Sequence, residues 1–313
     1  MLPNPFHRAT YLTGATAVGK TAVAVQLARR LNAEIIALDS MTLYRGLDVG
    51  TAKPSLEDRH GIPHHLLDIL EPWQNADLAL YRNHALHAVL DIEARGKLPL
   101  FVGGTPLYLK ALLRGLFEGP AANANLRAEL EAEAQRLGRQ ALHARLAALD
   151  PTSAARLQPQ DLRRVVRALE VVTLTGRPLS TLQIEHNHPA PPDVHVFALD
   201  RPRPILHNRI NLRVHDMIKA GLVDEVQRLL DHPQGLGHVP AQAVGYREVA
   251  DLLAGNLSLA AAVDRIQART RQFAKRQSTW FRSLDEVQIL PVTNDEPAQL
   301  TADRLVRLIK PHP

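Results

Sequence analysis

The 313-residue chain contains no cysteine, so it can build neither a disulfide framework nor a thiolate metal site. That absence fits a reducing compartment. No uninterrupted apolar run is long enough to span a membrane. The first residues, MLPNPFHRATYL, lack an apolar segment followed by a small-residue cleavage site. No internal repeat and no low-complexity tract is present. Together these absences lead us to expect a soluble cytoplasmic protein. Hydrophobic residues make up 45% of the chain, enough for two domains or for one domain with a large insertion.

Net charge excludes little: 37 Lys and Arg stand against 32 Asp and Glu. Its distribution is more informative. Arg265 to Arg282, RIQARTRQFAKRQSTWFR, carries six cations and no acid. A second cluster, Arg163, Arg164 and Arg167, lies in DLRRVVRALEV. Basic faces of this kind are candidate footprints for a phosphate backbone, and equally candidate solvated helix faces.

Hydrophobic periodicity predicts a strand at Thr10–Thr13, a helix over KTAVAVQLARRL and a second buried strand in AEIIALD. A helix over LYRNHALHAVLDIEARG and a third strand, LPLFVGG, follow. Strands alternating with helices predict an α/β fold with a parallel sheet flanked by helices. From Arg114 to Leu182 the chain turns to Ala, Leu, Arg and Glu at helical spacing, which reads as a helical insertion closed by the proline-rich loop NHPAPPDV. VHVFALD then returns to the sheet. Further helices follow, and EVQIL (286–290) reads as a last strand.

Between the first strand and helix lies Gly14-Ala15-Thr16-Ala17-Val18-Gly19-Lys20-Thr21, which matches the phosphate-loop pattern. The glycines let the backbone curl so that its N–H groups face an anion. Lys20 supplies a cation, and Thr21 a hydroxyl for Mg²⁺. Asp39 ends the second strand and Gly103-Gly104-Thr105 ends the third. In an open parallel sheet both should open on the crevice that holds the phosphate loop. At this point Asp39 is equally able to hold a metal, to take a proton or to cap the next turn.

In this order, GATAVGKT, DSMTLYRGLDVGTAKP, GIPHHLLDI, VGGTPLYLKALL, RRVVRALEV, RINLRVHDMIKAGLVDEV, QAVGYREV and TRQFAKRQSTWFR resemble the tRNA dimethylallyltransferases, also called tRNA isopentenyltransferases. The resemblance covers most of the chain. It implies a phosphate-loop NTPase-like core of residues 1–115 and 192–313 and an all-helical insertion of residues 116–191 that contacts tRNA. It implies transfer of a dimethylallyl group from dimethylallyl diphosphate to the exocyclic amine of the adenosine 3′ to the anticodon, with Mg²⁺ present and diphosphate released. The loop would then hold an isoprenoid diphosphate rather than ATP. Asp39 becomes the candidate base, Thr105 the group that orients the amine, and Arg213 (with Arg209 as the alternative) the arginine on the diphosphate.

By the same resemblance the anticodon stem-loop is expected to touch Asp39, Ser40, Met41, Thr42, Thr105, Arg127, Arg163, Arg164, Val165, Val166, Arg167 and Gln242, Ala243, Val244, Gly245, Tyr246, Arg247. The helix carrying Arg271, Lys275 and Arg276 would follow the RNA backbone. Core packing is the expectation for Phe273, Trp280 and Phe281, with base stacking the alternative. The working unit is expected to be a monomer. Thr42 departs from the family, which usually has Gln there; Pro106 occupies a variable position. Three other readings compete: a small-molecule kinase, an isopentenyltransferase acting on free nucleotide, and a non-catalytic RNA-binding module. The basic helix and the insertion favour RNA over the first two. A carboxylate and a threonine converging on the phosphate loop argue against the third.

Overall fold

A computed structural model describes residues 4–115, 119–185 and 188–309. Residues 116–118 of the expected insertion and Asn187 of the proline-rich loop lie outside the described residues. The chain divides into two compact units. One runs to Leu113 and resumes at Ala190; the other is Arg114–Pro189.

The first unit begins with β1 (Thr10–Gly14), α1 (Lys20–Leu31), β2 (Ala33–Leu38), β3 (His64–His65), α2 (Leu78–Ala94), β4 (Leu98–Gly103) and α3 (Pro106–Arg114). The second unit is helical: α4 (Ala124–Leu137), α5 (Arg139–Leu149), α6 (Pro151–Arg156), α7 (Leu162–Thr175) and α8 (Leu179–Glu185). The first unit then resumes with β5 (Val196–Asp200), α9 (Arg203–Lys219), α10 (Leu222–Asp231), α11 (Tyr246–Leu253), α12 (Leu259–Arg282), β6 (Val287–Pro291) and α13 (Ala298–Leu308).

All strand pairs are parallel, in the order β3-β2-β4-β1-β5-β6. Side chains alternate across a strand, so neighbours enter different cores. Tyr11, Ile36 and Phe101 pack on one face of the sheet, where Tyr11 and Phe101 stack with centroids 4.9 Å apart. Leu12, Ile35 and Leu100 pack on the other. Burial on both faces explains why these strands read as apolar runs rather than alternating ones. The two-residue β3 carries too little apolar sequence to be seen in advance.

The carboxyl ends of β2 and β4 meet with no room between them. A Cβ on Gly103 would lie 2.0 Å from the carbonyl oxygen of its register partner Leu38. The end of β1 is as tight: a Cβ on Gly14 would meet the Leu199 carbonyl oxygen at 2.6 Å. Only glycine permits these approaches.

The helical unit has its own apolar centre, including Leu130, Leu142, Leu146, Val165, Val166 and Leu169. Two buried carboxylates secure it. Asp150 accepts from the N–H and hydroxyl of both Ser153 and Ser180. Glu170 accepts from the Asn123 N–H, from both arms of Arg127 and from Arg167.

At the amino end of β2, the buried Glu34 accepts from Arg95, Lys97 (2.8 Å) and His65 (2.7 Å). The Arg95 hydrogen bonds are the main cause that holds the Glu34 carboxyl well below the usual carboxylate range. Its stabilising contribution is therefore complete above the unfolded pKa of about 4.3 and is lost as pH falls through the lower folded value. Glu34→Gln should cost about 2 kcal/mol at neutral pH, a figure already reduced for the partial exposure of Arg95 and Lys97. Urea denaturation should show the gap to wild type narrowing below about pH 4; a gap unchanged at pH 3 would remove Glu34 as the source.

Candidate active site

β1 ends at Gly14 in a positive-φ conformation, and the chain curls through Ala17 (φ 64°) and Gly19 (φ 108°) into α1. Three arginines hold this loop from outside. Arg201 Nε donates to the Val18 carbonyl at 2.8 Å and Arg209 Nε to the Ala17 carbonyl at 2.9 Å. Arg213 Nη1 reaches the Thr16 hydroxyl at 3.4 Å. Lys20 Nζ folds back on the loop, donating to the carbonyls of Gly14 (2.9 Å) and Ala15 (3.0 Å).

Burial and neighbouring charge act together on two of these cations. Burial and the charge of Arg213 lower the Lys20 ammonium to about 8, against a smaller opposing pull from Asp39. Burial and Arg209 lower the Arg213 guanidinium, again opposed by Asp39. A buried cation cluster that strains its own ionisation is a site prepared for an anion.

Asp39 follows Leu38, the last residue of β2, and its Oδ1 accepts from the Met41 N–H at 2.8 Å. Burial raises its pKa, and the Met41 N–H, Lys20, the Thr42 N–H and Arg213 act in the opposite direction. Thr105, just beyond β4, donates its N–H to the Leu38 carbonyl and accepts the Ser40 N–H on its hydroxyl at 3.2 Å. The strand ends thus bring Asp39, Ser40 and Thr105 together, beside Lys20 and Arg213. Among the described residues no cluster of three His, Asp or Glu could hold a metal.

A cavity of about 910 Å³ opens beside the loop. Its walls are the start of α1 with Lys20 and Thr21, the segment from Asp48 to Ser55, and the α9 face with Arg209, Leu212, Arg213 and Met217. Asp39 and Thr105 do not line it. Lys20 and Arg213 line this cavity and lie within electrostatic reach of the Asp39 carboxylate.

The expected RNA contacts separate into several groups. Arg163, Gln242, Arg247, Lys275 and Arg276 are exposed. Ser40, Met41, Ala243 and Val244 are half-buried, and Gly245 is buried. Arg164 pairs with Asp161, and Arg271 donates to Asn211 at 2.6 Å. Arg127 and Arg167 are taken up by the buried Glu170. Val165, Val166 and Tyr246 are core residues, so contact of their side chains with RNA is not carried forward. Thr42 is buried with a hydroxyl that has no hydrogen-bond partner.

The aromatic residues of α12 also need correction. Phe281 is in the core, but Phe273 and Trp280 are each 38% exposed. Positions 273, 276 and 280 share one flank of the helix, so these two rings bracket Arg276; Arg271 and Lys275 lie four apart on another flank.

Sequence reasoning missed Gln277 and Glu225. The buried Gln277 amide accepts from the Thr16 N–H at 2.9 Å and donates to the Gly104 carbonyl at 2.5 Å, tying the phosphate loop to the end of β4. A polar residue on the buried face of a basic helix was the available signal. Glu225 gives no local signal, because its partners lie far away in the chain.

The IPP transferase family model matches residues 42–284, and an isopentenyl transferase model matches residues 7–68. The tRNA dimethylallyltransferase of Thermomicrobium roseum is 45% identical over 96% of this chain and 91% of its own length. That of Geobacter metallireducens is 47% identical over 90% and 91%. Among solved structures, the tRNA isopentenylpyrophosphate transferase of Bacillus halodurans superposes with a TM-score of 0.71 at 38% identity, covering 97% of this chain and 94% of that one. A eukaryotic dimethylallyltransferase acting on tRNA gives a TM-score of 0.81 at 26% identity, with 97% and 80% covered. With a phosphate loop, a carboxylate just past the end of β2 and a matched span from residue 42 to 284, the chain belongs to the IPP transferase family.

Proposed function

We propose that this chain transfers a dimethylallyl group from dimethylallyl diphosphate to the exocyclic amine of the adenosine 3′ to the anticodon of tRNA. The observation that carries the reading is that Lys20 and Arg213 line the cavity and also act on one buried carboxylate of raised pKa.

The donor's diphosphate occupies the loop, and Lys20 exchanges the Gly14 and Ala15 carbonyls for phosphate oxygens. The allylic C–O bond breaks and its electron pair leaves on the diphosphate. Lys20, Arg213 and Arg209 gather on the loop beside which that charge grows, which limits reorganisation during reaction. The amine nitrogen forms the new C–N bond. It is a weak nucleophile because its lone pair is delocalised into the ring. Asp39 takes its proton as the bond forms, and Thr105 orients it.

Magnesium fits this site through Thr21, whose side chain borders the cavity with no partner among the described residues. One protein hydroxyl, phosphate oxygens and water form a typical Mg²⁺ donor set. When bound, the ion supplies further positive charge against the leaving diphosphate.

The RNA side rests on the exposed Lys275, Arg276, Arg247 and Arg163, suited to phosphates, and on part-exposed aromatic rings, suited to unstacked bases. The reading takes a monomer as the working unit. No helix among the described residues is long and apolar enough to cross a membrane. A tRNA substrate supports a cytoplasmic location.

The deciding experiment supplies labelled dimethylallyl diphosphate and Mg²⁺ to the enzyme with unmodified tRNA, free AMP or ATP. Label in tRNA is expected; label in AMP alone, or phosphate transfer from ATP, overturns the reading. Asp39→Ala should lower the single-turnover rate by about 10²–10⁴ while tRNA affinity stays within a few-fold. Near-normal chemistry would end its role as base. A pH dependence follows from Lys20, which must be charged to meet the diphosphate. In the free enzyme kcat/KM for the donor should fall above about pH 8. Lys20→Arg should abolish that alkaline limb, and a limb that survives belongs to another group.

A further inference from the structure

The wall of the cavity opposite α9 is an irregular segment, Asp48 to Ser55, with neither helix nor strand to fix it. A single side chain supplies much of the missing hydrogen bonding. Glu225, in the first turn of α10 and only 2% exposed, accepts the backbone N–H groups of Asp48 (3.0 Å), Val49 (2.8 Å) and Gly50 (3.1 Å). Its fourth donor is the hydroxyl of Tyr246, at 2.6 Å.

Among the described residues no Lys or Arg pairs with this carboxylate. Three consecutive N–H groups turned to one anion form a nest, and charge-assisted bonds of this kind are stronger than neutral ones. Tyr246 closes the arrangement sterically as well, since a Cβ on Gly50 would lie 2.5 Å from its ring. Further along the wall, the buried Lys53 donates to the Tyr44 carbonyl (2.7 Å) and to the carboxylates of Asp48 (2.6 Å) and Asp68 (2.5 Å). Asp48 links the two clusters, giving its N–H to Glu225 and its carboxylate to Lys53.

Resting on the reading of this cavity as the donor's site, we propose that Glu225, assisted by Tyr246, is a positioning residue that sets donor affinity by fixing the Asp48–Gly50 wall without touching the donor. Neither residue borders the cavity. The consequence is a split in kinetic constants. A misplaced wall weakens the hold on the donor, whereas loss of folded enzyme lowers kcat and leaves KM alone.

Glu225→Gln turns an amide N–H toward the backbone donors, and Tyr246→Phe removes only one hydroxyl. KM for dimethylallyl diphosphate should rise about tenfold in Glu225→Gln and about threefold in Tyr246→Phe. KM for tRNA should stay within about twofold and kcat at saturation within about threefold. Donor KM unchanged in folded variants, a fall in kcat alone, or an equal rise in both KM values overturns the proposal. If Glu225→Gln does not fold, Tyr246→Phe decides by itself. Calorimetry with inorganic diphosphate reads the same cavity without RNA or transfer, and its Kd should rise by the same factors. A wild type that binds diphosphate but leaves tRNA unmodified sinks the functional reading. The positioning role then stands or falls on diphosphate affinity alone.

Discussion

Uncompensated positive charge at the end of β1 is the constraint around which the site is built. Lys20, Arg209 and Arg213 approach one loop, and Asp39 is the counter-charge felt by both Lys20 and Arg213. Such a cluster is unfavourable while empty, and the fold meets the cost with carbonyls. Gly14, Ala15, Ala17 and Val18 each turn a carbonyl oxygen to a cation. Those oxygens are weak partners beside a diphosphate. The same contacts that make the empty loop tolerable can therefore be exchanged when the anion arrives.

Asp39 owes its raised pKa to the same geometry seen from the other side. Burial pushes it up, and the nearby cations moderate the rise without cancelling it. A carboxylate paired tightly with one arginine would be a poor proton acceptor. One that sees its cations at longer range keeps both its charge and its basicity. Gln277 preserves this spacing, because its single amide bonds both the loop and the residue before Thr105.

Much of this could be read from the chain, where function depends on local pattern. The phosphate loop was legible because glycines, Lys20 and Thr21 must be consecutive. Asp39 and Gly103 to Thr105 were legible because parallel strands release their ligand groups at one edge. The glycines proved to matter for strand contact as much as for the turn. What escaped depends on distant partners. Glu225 meets residues 48–50 from well over a hundred positions away, and nothing near either segment announces it. Val165 and Val166 shared a motif with exposed arginines, but helical spacing puts alternate faces of α7 in the core. Phe273 and Trp280 failed in the opposite sense, as aromatic residues that the helix leaves beside a cation.

The strand that delivers Asp39 begins at the other rim of the sheet with Glu34, five residues earlier. At about 3.3 Å per residue these carboxylates are roughly 16 Å apart. At that distance the two carboxylates have separate partners: Arg95, Lys97 and His65 for Glu34, and the Met41 N–H for Asp39. Both are carboxylates on one short piece of chain, yet one is pulled below its ordinary pKa and the other is pushed above it. β2 thus presents two carboxylates to two different surroundings, one that favours the charged form and one that disfavours it.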